Sequence, residues 1–215
     1  SIVQTVAVYI IPLIFAITLH EAAHAFVAHK YGDNTAKLLG RLSLNPMHHI
    51  DPFGTVVFPL ISIVLGAMSG GAGFIFGWAK PVPINFSKLK SPKKDLLWIA
   101  LAGPLSNLAM ALIWGLLLKG TLYLDNYFGV PLSLMAQAGI SINVSLLILN
   151  LLPILPLDGG RILFSLLPVK QAQQYAQTER YGMWILVALS LLGGLDYITQ
   201  PLYSLLVGGI FTLLR

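Results

Sequence analysis

His20-Glu21-Ala22-Ala23-His24 gathers two imidazoles and a carboxylate within five residues. On a helix, residues four apart project from one face about 6 Å apart along the axis, so His20 and His24 can share one tetrahedral metal ion. Glu21 is rotated about 100° from His20 and stands beside such an ion rather than on it. A general base that takes a proton from a metal-activated water belongs in that place. A hydrolytic site of this type needs a third protein ligand and one position left for water. Imidazole, carboxylate and water suit several divalent ions, so these residues by themselves leave the metal's identity open.

The element that must present them is an apolar run over residues 2–27, long enough to cross a bilayer as one helix. Ionisable groups at membrane depth cost at least ~2.5 kcal/mol each, so they persist where function uses them or partners neutralise them. The chain has 215 residues, 56% hydrophobic and only 10% charged, against about 25% charged in ordinary soluble domains. The composition predicts an all-α polytopic membrane protein with about five to six transmembrane helices, plus a re-entrant or hairpin segment around 52–85. No polar region is long enough for a separate soluble unit, so one membrane-embedded domain over 1–215 is expected. The absence of cysteine excludes disulfides, thiolate metal sites and thiol nucleophiles. The net charge is +5, yet the basic residues cluster at the ends of apolar runs. That pattern points to a lipid bilayer and not to nucleic acid.

Further spans are predicted over 96–118, 132–152, 182–195 and 201–214. The span from residue 96 contains Gly103-Pro104-Leu105-Ser106-Asn107; its small residues permit close helix approach, and Asn107 is either interhelical glue or a site residue. The span ending near 152 cannot run on smoothly through Asn150-Leu151-Leu152-Pro153-Ile154-Leu155-Pro156-Leu157-Asp158-Gly159-Gly160. Two prolines remove donors there and two glycines loosen the backbone. Such a loop can hold a carboxylate at a site, because irregular backbone at membrane depth must be buried in protein or line water. His48, His49 and Asp51 are read as loop residues, since adjacent histidines face different ways and no ligand pairs with them at helical spacing. Asn143-Val144-Ser145 matches a glycosylation sequon, but within a span it would be inaccessible.

If Asp158 supplies the third ligand, it must lie at the depth of His20 and His24, and both span ends must open on one side of the membrane. Counting back through the 96–118 span brings the lysines at 88–94 to that side as well. The 52–85 stretch must then leave and return on one face. Sixteen helical residues from 52 to 67 rise about 24 Å, and the dozen extended residues of 74–85 reach nearly 40 Å. In this arrangement twelve of the thirteen Lys and Arg residues fall on the site side and only Lys119 falls opposite. The positive-inside effect then predicts a cell-membrane protein whose active site opens toward the cytoplasm.

The three motifs His20-Glu21-Ala22-Ala23-His24, Gly103…Asn107 and Asn150…Pro153…Asp158-Gly159 occur in the order of the site-2 protease family of intramembrane zinc metalloproteases. The chain resembles that family over nearly its whole length. The segments Asn45-Pro46…His49-Ile50-Asp51-Pro52-Phe53-Gly54 and Pro81-Val82-Pro83-Ile84-Asn85 are also similar to its compact bacterial members. Family members often carry a PDZ or CBS domain, and these residues show neither. The resemblance implies one zinc ion held by His20, His24 and Asp158, with Glu21 as catalytic base. It also implies cleavage of a peptide bond within, or at the edge of, a transmembrane segment of a substrate protein. Asn150 and Asn107 are candidates to donate to the developing oxyanion or to substrate backbone. The 69–85 segment, read as extended chain, could receive an unwound substrate by strand addition. The competing readings are a divalent-metal transporter and a non-catalytic metal-binding scaffold. Transport calls for polar ligands along several spans, whereas here the ionisable residues gather near one face.

Overall fold

The computed structural model describes residues 2–49, 51–57, 61 and 80–214. Every regular element among them is helical. Helix α1 (Ile2–Lys30) runs unbroken through the apolar stretch and ends on His29 and Lys30, basic residues that complement the negative end of the helix dipole. Gly32, at φ 106°, turns the chain into the short helix α2 (Thr35–Leu38). Helix α3 (Pro92–Gly120) opens with proline at its first position, where a missing N–H costs nothing. Asp95 closes the same turn by accepting the Ser91 amide at 2.7 Å. Helix α4 (Asn126–Leu151) starts on Asp125, whose carboxylate accepts the Phe128 amide. It stops just before Pro153, as the sequence predicts.

Two short helices follow, α5 (Asp158–Leu166) and α6 (Val169–Ala176). Helices α7 (Glu179–Leu191) and α8 (Gly194–Leu213) close the chain and meet at 80°. Their break falls at Gly193, φ 70°, several residues before the gap predicted at 196–200. A left-handed glycine ends a helix more decisively than Pro201, which sits inside α8.

Three helical stretches, Val6–Lys30, Pro92–Tyr123 and Asn126–Leu151, are long and apolar enough to cross a membrane, and the bent α7–α8 pair makes a fourth if it counts as one broken span. The hairpin expected over 52–85 lies largely outside the described residues. Within it, Pro52–Val57 forms a π-helical turn and residues 80–85 run without helix as a strap.

Helix α3 is the hub, packing on α1, α4 and α5. One core cluster joins Ala111 of α3, Ile140, Val144 and Ile148 of α4, and Ile210 of α8. The buried face of α1 is built from Ala16, Ala22, Ala25 and Ala28, small side chains that let neighbouring helices approach closely. Large apolar residues such as Phe15, Ile113 and Leu116 are left on the outside, as suits a surface solvated by lipid.

Candidate metal centre

His20 and His24 project from one face of α1, buried, with ring centroids 4.7 Å apart and planes at 84°. Helix α3 supplies what lies behind them. The Nδ1 of His20 is 2.6 Å from Oδ1 of Asn107, and the Nδ1 of His24 is 2.6 Å from the carbonyl oxygen of Ile99. Ile99, Gly103 and Asn107 are spaced four apart and form one stripe on α3. The stripe offers an acceptor, a gap and an acceptor. A Cβ on Gly103 would lie 2.5 Å from His20 Cε1 and 2.6 Å from its Nε2, and would collide with His24 Nε2. Only glycine lets α3 come this near the imidazoles.

Asn107 is fully buried and engaged on several sides. Its Nδ2 donates to Asn143 Oδ1 at 2.9 Å and to the Ala16 carbonyl at 3.4 Å, and Asn143 Nδ2 donates to the Gly139 carbonyl at 2.8 Å. The relay from Gly139 through Asn143 and Asn107 aims an acceptor at His20. Asn107 thus contacts a neighbouring span and the ring of His20 at once.

Asp158 opens α5 at the end of the proline-broken loop. Three glycines allow the loop to pack this tightly. A Cβ on Gly160 would lie 2.5 Å from the Leu155 nitrogen, one on Gly159 would strike the Leu151 and Leu152 backbone, and one on Gly182 of α7 would strike the Leu155 carbonyl. Tyr175 donates its hydroxyl to the Pro153 carbonyl at 2.9 Å. Burial raises that hydroxyl's pKa above its ordinary value, which keeps it a donor.

The carboxylate so placed has Oδ2 at 3.2 Å from His20 Nε2 and 3.3 Å from His24 Nε2, and the two Nε2 atoms are 3.1 Å apart. Because each Nδ1 faces a carbonyl-type oxygen, each carries the ring proton, and each Nε2 presents a lone pair. Asp158 Oδ2 is buried without a hydrogen-bond partner. Three lone pairs therefore converge where repulsion would drive them apart unless a cation lay between. Ligand atoms about 2.0–2.1 Å from a tetrahedral zinc would be roughly 3.3 Å from one another, which matches this triangle. Among the described residues, His20, His24 and Asp158 are the group able to hold a metal ion.

Glu21 is half-buried beside this triangle, its Oε2 accepting the Val82 amide at 3.0 Å. Asn150 lies at the end of α4, its Nδ2 donating to the Leu146 carbonyl of its own helix at 3.0 Å. The histidines of the 40–49 loop bond to backbone: His48 Nδ1 to the Gly40 carbonyl and His49 Nε2 to the Ser43 carbonyl.

Comparison with known proteins adds a second line. The model of peptidase family M50 matches residues 126–193, the part of the chain that carries Asp158. YwhC of Bacillus subtilis, named as a zinc metalloprotease, is 37% identical over 203 residues, covering 91% of this chain and 85% of its own. The chain belongs to peptidase family M50. Relatives at lower identity also carry zinc metalloprotease names. Rip2 of Mycolicibacterium smegmatis is 28% identical over 85% of this chain and 66% of its own. Rip2 of Mycobacterium tuberculosis H37Rv is 30% identical over 82% and 63%. The chain thus spans just under two thirds of the length of these two relatives. No solved structure matches. As an M50 member with helices apolar enough to span a bilayer, this is a membrane zinc metalloprotease.

Four features of the site escape the sequence motifs: Asn143, Val82, Gly182 and Tyr175. Asn143 could have been found by asking why two neighbouring spans each carry an asparagine near their middle. The others depend on contacts that only the folded chain reveals.

Proposed function

We propose that this enzyme is an intramembrane endopeptidase that hydrolyses a peptide bond within, or at the edge of, a transmembrane segment of another membrane protein. The observation that carries the reading is the convergence of His20 Nε2, His24 Nε2 and Asp158 Oδ2 to within 3.1–3.3 Å of one another. These three side chains hold the zinc, within one membrane-embedded domain spanning 1–215. Zinc held there would supply Lewis-acid polarisation of the scissile carbonyl and a lowered pKa for a bound water.

This chain's residues do the rest. Asn107 and the Ile99 carbonyl hold the imidazole Nδ1 protons, which fixes each ring with Nε2 toward the metal. Glu21 takes a proton from the attacking water and hands it to the departing amine nitrogen as the C–N bond breaks. Asn150 uses one amide hydrogen on Leu146 and has a second for substrate backbone or the developing oxyanion. Asn107 acts through His20 and is assigned to positioning. A substrate helix hides its carbonyls in its own hydrogen bonds, so it must unwind locally before attack. The excess of Lys and Arg on the site side supports an opening toward the cytoplasm.

The test measures zinc content and cleavage of a single-span substrate in proteoliposomes. Wild type holds about one zinc per chain and cleaves; Asp158→Ala loses the metal; Glu21→Gln keeps it and does not cleave. Full zinc content in Asp158→Ala removes the ligand assignment. Zinc flux without cleavage by wild type replaces proteolysis with transport.

A further inference from the structure

Glu21 does not stand free beside the triangle. Its Oε2 accepts the Val82 amide at 3.0 Å, across 61 residues of sequence. Val82 lies between Pro81 and Pro83. Proline has no N–H, so this tripeptide possesses one backbone donor, and that donor is spent on Glu21.

The strap that carries the amide is anchored independently of Glu21. At one end the Lys80 amide donates to the His49 carbonyl at 3.1 Å, and Arg41 Nη1 donates to the Lys80 carbonyl at 3.4 Å. At the other, the Asn85 amide donates to Asp33 Oδ2 at 2.6 Å. Between them the Val82 side chain is buried against Ala25, Ala36 and Leu42. Ala25 is one turn beyond Glu21 on α1, so the strap lies along the face that carries the carboxylate. Its fixed φ at two prolines, its buried valine and its tethers set where the amide points. A glutamate side chain is flexible and takes its orientation from that fixed donor.

We propose that Pro81-Val82-Pro83 is a positioning element for the general base: the single amide holds one oxygen of Glu21 and leaves the other to work on water. This rests on the reading of Glu21 as base. Held this way, the carboxylate keeps one orientation beside the metal site through the turnover, and catalysis is spared the search for it. The positioning group is the backbone N–H of Val82, and the side chain serves to hold the strap down.

The test replaces Val82 by α-hydroxyvaline in the full chain, which exchanges the N–H for an ester oxygen and keeps the side chain. Its companion, Val82→Ala, keeps the N–H and trims the side chain. The ester variant is expected to lose kcat about tenfold, as for a lost hydrogen bond to a charged group, with KM within about twofold and zinc content retained. Val82→Ala loses less than the ester. A readout without turnover accompanies these: exchange of the Val82 amide, slow in wild type, speeds at least about tenfold in Glu21→Ala. Equal kcat losses in the two Val82 variants, or Val82 exchange unchanged in Glu21→Ala, overturns the proposal. Cleavage of substrate by Glu21→Gln at the wild-type rate would instead overturn the assignment of the base, which the exchange measurement does not depend on.

Discussion

Replacing Gly103 by alanine puts one methyl group into the gap through which α3 approaches the two histidines. The new carbon would lie 2.6 Å from His20 Nε2, where ordinary contact begins at 3.4 Å, so that atom must retreat by about 0.8 Å; His24 Nε2 is crowded further. Neither ring is free to swing, because each Nδ1 is held at 2.6 Å by Asn107 or the Ile99 carbonyl. Metal ligands tolerate displacements of only about 0.2 Å from their preferred distances. Moving either ring therefore costs a zinc ligand together with an Nδ1 hydrogen bond worth about 1 kcal/mol. Zinc affinity is expected to fall by at least the ~10–100-fold that marks loss of an outer partner. Titration with a graded series of chelators, followed by elemental analysis, measures it. The paired control is Gly120→Ala at the end of the same helix, where φ is −61° and a Cβ meets nothing within 4 Å. It should leave zinc affinity as it is and raise stability by up to ~1 kcal/mol. Wild-type zinc affinity in Gly103→Ala would show that the imidazoles do not occupy the positions described.

Removing Asn143 by substitution with alanine should weaken zinc binding about tenfold through the loss of Asn107's partner, while Asn143→Gln recovers part of it; chelator competition reads both. Gly182→Ala should drive α7 off the Leu155 carbonyl, lowering thermal stability by ~2 kcal/mol or more and reducing zinc content in the same preparations. Burial alone would push the Asp33 carboxyl up, but the Thr35 and Asn85 hydrogen bonds and nearby Lys88 outweigh it and hold it below its usual range. A depressed folded-state pKa means this contribution is complete above the unfolded value of about 3.9 and is lost as pH falls through the folded one. Asp33→Asn should therefore cost ~1–2 kcal/mol at neutral pH, a gap that closes below about pH 4 in denaturation experiments.

The metal site was legible where its chemistry is local or carried by a motif. The spacing of His20 and His24 needs no tertiary information, because one helical turn brings them together. Asp158 was reachable only through its resemblance to a known loop, although the prolines at 153 and 156 already marked irregular backbone. Asn107 was ambiguous because an amide inside a span can serve helix contact or site; here it touches both Asn143 of the neighbouring helix and His20. Asn143 was hidden by its match to a sequon. The Val82 contact was out of reach because it joins residues 61 apart through a backbone atom, and backbone donors leave no trace in residue type. The join of the closing helices falls a few residues earlier than the predicted 196–200, because Gly193, inside the apolar run, takes a left-handed conformation and ends α7.

The three stations of the α3 stripe bear on how the enzyme comes into being. The groups that touch the two imidazole Nδ1 atoms, the Ile99 carbonyl and the Asn107 amide oxygen, precede residue 120, whereas Asn143, which orients Asn107, follows it. The anionic corner arrives some forty residues later in synthesis, with Asp158. In chain order, then, the contacts behind the two imidazoles come first, and the residues that orient Asn107 and close the triangle come later, with Asn143 and Asp158.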